Sequence, residues 1–290
     1  MDSQENKTHV FFENNTSAKE GEIMNKRKSA ICFFLLIVKI MVLGSADPAW
    51  SEFNPPCDLE IEKTWSMMAY GESIGVIRGI TRTDTINGKV YIKQQFSGMV
   101  GIREGVSLHS SETVWIGPGG MAFFKGTFQE SGSRDKSTMD AKLEGDALSF
   151  DLTMKPGDLV YTESFIKDFD YNWSTAYIDV DQQGFQKNKR FKKKILDIYE
   201  LKSKEVTGVY LGTQMVEQGG HRLECHKIQF DYGDIKGIMW LAKDELSWFL
   251  VKEEAEGGGV PFQMYLDEYT KKKKETVSQK KASDKNDFGF

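Results

Sequence analysis

The feature that most constrains this chain is a two-residue period. Leu148, Phe150, Leu152 and Met154 alternate with Ser149, Asp151 and Thr153, and Val260, Phe262, Met264 and Leu266 repeat the pattern with Gln263 and Tyr265 between them. Successive side chains of an extended strand point to opposite sides, so each run presents one apolar face and one wetter face. Helical spacing of apolar residues is weak throughout, and only the stretch 197–204 reads as either a short helix or a strand. Asn87 and Gly88 separate two strand-like runs, 80–86 and 89–96, and this dipeptide takes the positive φ angles of a type I′ hairpin turn. Further turns are marked at 117–120, 131–133, 144–146, 218–220 and 257–259. The chain has 27 glycines and six prolines in 290 residues, with 12% aromatics, as expected when glycines mark turns and prolines stay out of strands. Pro261, inside an alternating run, predicts that the last strand starts late or lies at an edge.

These observations predict an all-β fold. One large, curved antiparallel sheet forms an open or incompletely closed barrel, with few or no helices. Trp115 is followed by Phe124 after nine residues, and Trp240 by Phe249 at the same distance, each with an alternating strand after it. That spacing suggests two duplicated meanders, in halves 65–160 and 187–269.

Residues 1–23 are polar and aperiodic, as in a disordered extension or a mis-assigned start. From Met24 the chain shows Lys26, Arg27 and Lys28, an apolar run from Ala30 to Leu43, and then Gly44, Ser45 and Ala46. Basic, apolar and small-residue parts in that order make 24–46 a secretory signal peptide. A membrane-spanning helix needs about 20 apolar residues, and Lys39 near its centre would cost about 2.5 kcal/mol or more. Gly44 and Ser45 stand where a lipoprotein would need its cysteine. The expected mature protein is exported and periplasmic, with a single antiparallel domain over 47–270 and a disordered basic tail over 271–290 that could touch a membrane surface. The whole chain carries a formal charge of −5, which becomes about −6 without the leader, and so excludes a nucleic-acid binder's overall balance. Cys57 and Cys225 remain after the leader. In an oxidising compartment they either form a disulfide or stay apart, one of them buried.

The patterns that could carry chemistry are weak. Gly71, Glu72, Ser73, Ile74 and Gly75 spell G-x-S-x-G, but a nucleophile elbow needs a helix after the serine, and here a strand-like run follows. His221 and Cys225 fall on one side of a strand and His226 on the other, so one metal ion would not collect all three. Asp168, Asp170 and Asn172 have calcium-loop spacing, but Trp173 occupies the place of the required glycine. No metal site and no cofactor are expected. Six positive charges fall within 187–194, a density suited either to phosphate and lipid headgroups or to an edge strand where lysines discourage unwanted pairing.

The order of parts resembles exported bacterial β-protein families of unknown function. The resemblance rests on Tyr70-Gly71-Glu72-Ser73-Ile74-Gly75 entering the first hairpin, Glu112-x-x-Trp115, the segment from His221 to Phe230, Trp240, and the last alternating strand. In outline such proteins are similar to the outer-membrane lipoprotein carriers, whose open barrel holds acyl chains; no amphipathic plug helix is evident in this chain. The resemblance implies a concave apolar face and no catalytic residues. Alternation nominates Phe123, Phe150, Leu152, Met154, Met239, Trp248, Phe262 and Met264 for that face. The expected function is non-enzymatic, a binding or carrier module for an apolar or lipidic ligand. The alternative is a structural or assembly factor that binds another envelope protein through a strand edge or the basic stretch. A serine hydrolase using Ser73 is a remote third.

Overall fold

The computed structural model describes residues 55–103, 105–117, 120–132, 137–144, 147–154, 159–166, 186–197 and 202–273. The leader at 24–46, the acidic segment from Asp168 to Gly184 and the chain beyond 273 lie outside them. Among the described residues the structure is all-β. Its strands are β1 (Leu59–Ala69), β2 (Glu72–Ile86), β3 (Lys89–Arg103), β4 (Val106–Gly117), β5 (Gly120–Glu130), β6 (Ser137–Glu144), β7 (Ala147–Met154), β8 (Leu159–Ile166), β9 (Arg190–Asp197), β10 (Lys202–Gln218), β11 (His221–Tyr232), β12 (Ile235–Lys243), β13 (Trp248–Gly257) and β14 (Val260–Lys273). They form one antiparallel sheet in the order β8-β7-β6-β5-β4-β3-β2-β1-β14-β13-β12-β11-β10-β9.

That order makes two meanders joined at their outer chain ends. β1 pairs with β14 in the middle of the sheet, while β8 and β9 form the two edges, so the sheet is not closed into a barrel. Of the stretch 197–204 left open between helix and strand, Asp197 ends β9 and 202–204 begin β10, both strands, while 198–201 lie outside the described residues. Asn87 and Gly88 have φ angles of 51° and 76°, as the hairpin reading requires. Pro261 is not on an edge strand, because β14 is flanked on both sides. It is tolerated because ladder pairing with β1 stops at Ala69 opposite Phe262, so that on the β1 side Pro261 is asked only for its carbonyl, which accepts the Tyr70 N–H at 3.4 Å. β14 also continues to Lys273, three residues into the stretch read as tail, where Lys271 pairs with Glu245 and Lys272 with Glu62, each at 2.7 Å.

Register turns the alternation into an interior. One row runs Tyr210, Ile228, Met239, Glu253, Met264, Met67, Gly75 and Val100 across eight strands. The next contains Leu266, Trp65, Ile77 and Gly98. Gly79, on the following row between Lys63 and Phe96, makes room for large neighbours: a methyl there would stand 2.8 Å from the Trp65 ring and 2.9 Å from that of Phe96. Buried side chains from β1–β5 and β10–β14 meet in a single apolar cluster. The long β10–β11 hairpin adds a second layer. Its tip lies on β14, where the His221 ring is 2.9 Å from the Tyr269 carbonyl and a methyl on Gly219 would be 3.2 Å from that of Asp267. In β13, Trp248, Phe249, Leu250 and Val251 are all buried: the register shift from Trp240–Lys252 to Leu241–Leu250 leaves Val251 without a partner on β12 and breaks the alternation there.

Candidate functional site

The sequence nominated eight residues for one concave face, and the structure divides them. Met239, Trp248, Phe262 and Met264 are buried in the common cluster. Phe123 belongs to the other face: it pairs with Trp115, contacts the Trp115 ring at 6.4 Å and the Tyr91 ring at 5.7 Å, and is only half-buried. Its neighbour Phe124 is the inward residue. Two adjacent phenylalanines hide which of them faces the core, and the alternation around 121–130 is too short to decide it. Phe150, Leu152 and Met154 register opposite Ala141, Met139 and Ser137, which carry the rows of Phe124, Gly126 and Phe128 onward; their side chains lie outside the described residues.

The faces within this cluster meet one another. Trp65 sits against Phe96, with ring centroids 6.3 Å apart, and its indole donates a hydrogen bond to the Leu250 carbonyl at 2.8 Å. Apolar side chains, rather than space for a ligand, occupy this part of the interior.

The proposed disulfide is not formed. Cys57 is exposed, Cys225 is buried, and both are free. Three strands, β14, β13 and β12, separate β1 from β11 in the sheet, which sets the two thiols apart. Burial pushes the Cys225 thiol up to about 12, so it is held as an unreactive thiol. Ser73 lies at the exposed start of β2 opposite Met68, and a strand follows it, so the turn-to-helix geometry of a nucleophile elbow is missing. His221 contacts the Tyr269 backbone, whereas His226 lies between the rings of Tyr210 at 5.7 Å and Trp248 at 5.0 Å. Among the described residues no group of three potential metal ligands comes together.

Sequence reading missed two buried charged features. Lys63 occupies the inward row of β1, and its ammonium donates to Asp244 at 2.7 Å, with exposures of 3% and 1%. Asp244 also accepts the backbone N–H groups of Leu246 and Ser247, and the Lys63 ammonium lies 4.3 Å from the Phe249 ring centroid. Glu253 faces the Met239–Met264 row at 1% exposure, and burial raises its carboxyl to about 8. In sequence, Lys63 reads as one polar residue in an otherwise alternating strand, and nothing nearby signals its partner 181 positions away.

The remaining elements with unsatisfied binding capacity among the described residues are the two edges, β8 and β9, and the basic run lies on β9. β9 pairs with β10 on one side, from Arg190 opposite Val209 to Asp197 opposite Lys202, and has no strand on its other side among the described residues. It carries Arg190, Lys192, Lys193 and Lys194, so the basic run does mark an edge strand. A free edge presents backbone N–H and C=O groups in register for another extended chain.

No protein-family model matches the chain, and no curated protein matches it. Among solved structures it is similar to a β-barrel-like protein of a domain of unknown function, DUF1849, from Brucella abortus. The two are 11% identical over 73% of this chain and 96% of that one, with a TM-score of 0.48.

Proposed function

We propose that the chain is exported to the bacterial periplasm and that its domain is a non-enzymatic binding module that takes an extended segment of another envelope protein on its β9 edge. The observation that carries this reading is the open, basic edge of a sheet whose described interior is filled by its own side chains. Strand addition uses backbone hydrogen bonds for affinity and alternate side chains for specificity. The cations of β9 select an acidic partner. A synthetic eight-residue peptide of alternating Glu and Val tests this: it binds and slows amide exchange in β9, and it binds more weakly to Arg190→Glu/Lys194→Glu. Absence of binding, or binding that leaves β9 amides unprotected, contradicts it.

A second reading is a carrier of an apolar or lipidic ligand. It is favoured by the register that continues the inward rows through Met139, Ala141, Phe150 and Leu152 towards the β8 edge. Lipid extraction and mass spectrometry of the protein purified from its envelope test it. A stoichiometric amphiphile supports the carrier, and a lipid-free protein removes it.

A further inference from the structure

Beside the edge lies a cleft of about 470 Å³, within the size range of small-ligand sites. Six polar side chains line it, Arg190, Lys192, Thr207, Gln229, Asp231 and Lys236, around a floor formed by β10. Register explains the convergence. Arg190, Val209 and Gln229 stand in one row, and Lys192, Thr207, Asp231 and Lys236 in a second row on the same face. The small residues of β10 sit between longer side chains on either side and leave a trough.

The charge is the opposite of the molecule's. Three cations face one carboxylate in the cleft, while the chain as a whole carries −5. Lys192 reaches Glu205 at 2.7 Å and Lys236 reaches Asp231 at 3.2 Å, with the two lysines 68% and 71% exposed, so both remain free to turn towards a bound anion. An Arg fork matches the oxygens of a phosphate, whereas Asp231, Thr207 and Gln229 can accept from or donate to hydroxyl groups.

We infer that this cleft binds a glycerol phosphate group, with Arg190, Lys192 and Lys236 on the phosphate and Asp231 and Gln229 on the glycerol hydroxyls. The group is either free or the head of an anionic phospholipid. This assignment does not depend on strand addition, because Gln229 and Lys236 lie two and three strands in from β9.

Calorimetry of the mature protein with glycerol 3-phosphate and with inorganic phosphate, and flotation with phosphatidylglycerol or phosphatidylcholine vesicles, tests it. Saturable binding of glycerol 3-phosphate, or retention on phosphatidylglycerol vesicles alone, is expected; the first identifies a free ligand and the second a lipid headgroup. Arg190→Gln and Lys236→Gln each weaken that binding at least about tenfold, and Asp231→Asn reduces the preference for glycerol 3-phosphate over inorganic phosphate. Binding of neither probe overturns the assignment. So does binding that Lys236→Gln leaves unchanged while circular dichroism shows that the variant is folded. Loss of acidic-peptide binding with retention of glycerol 3-phosphate would remove the edge reading and leave the cleft standing.

Discussion

A lysine on the inward face of a strand needs a counter-charge and hydrogen-bond partners, and Asp244 supplies both to Lys63. The pair links β1 to the β12–β13 turn, because Asp244 also holds the N–H groups of Leu246 and Ser247. Replacing Lys63 with Met leaves Asp244 buried without its cation, and the expected loss is about 3–5 kcal/mol in denaturant unfolding. The double variant Lys63→Met/Asp244→Asn recovers part of it. Glu253 behaves in the opposite sense. Its carboxyl is raised from 4.5 to about 8 by burial, so between those pH values the folded state holds a proton that the unfolded state has released. Stability therefore falls as pH rises through that window, by on the order of 5 kcal/mol in all. Glu253→Met should flatten the slope and leave the variant more stable than the parent at pH 8 but not at pH 4, as thermal melts across pH would show.

At the scale of elements, the assignment of faces can be tested on one dipeptide. Phe124→Ala removes a ring that is 1% exposed and should cost about 3–5 kcal/mol. Phe123→Ala removes a half-buried ring from the outer face and should cost about 1 kcal/mol or less; comparable losses would contradict the β5 register. The β2–β3 hairpin and β14 were legible in the sequence because their local signals, Asn-Gly and a four-residue alternation, agree with the tertiary structure. The burial of β13 was not legible. Its run from Trp248 to Val251 has no two-residue period because a bulge at Val251 shifts its register against β12. The two tryptophans of the Trp–Phe spacing sit in similar local settings. Lys93 pairs with Trp115 across β3 and β4, and Lys227 pairs with Trp240 across β11 and β12, with the ammonium 5.0 and 4.9 Å from the ring centroid.

For the whole molecule, sequence periodicity identified an antiparallel sheet but could not say how its two meanders join. The join is a pairing between Leu59–Ala69 and Val260–Lys273, two strands at opposite ends of the domain whose match is visible only in three dimensions. The same is true of the cleft, whose Arg190 and Lys236 are brought together by register across four strands. The central claim is one sheet whose two meanders are joined in the middle by β1 and β14, which is filled within and has β9 at an edge. Residue-resolved amide hydrogen exchange of the protein tests it most directly. The account predicts the slowest exchange in β1 and β14, which are paired on both sides, and fast exchange at alternate amides of β9, whose outward N–H groups have no strand partner among the described residues. Uniform protection of β9 at the level of β1 would mean that the edge is already occupied, and would contradict it.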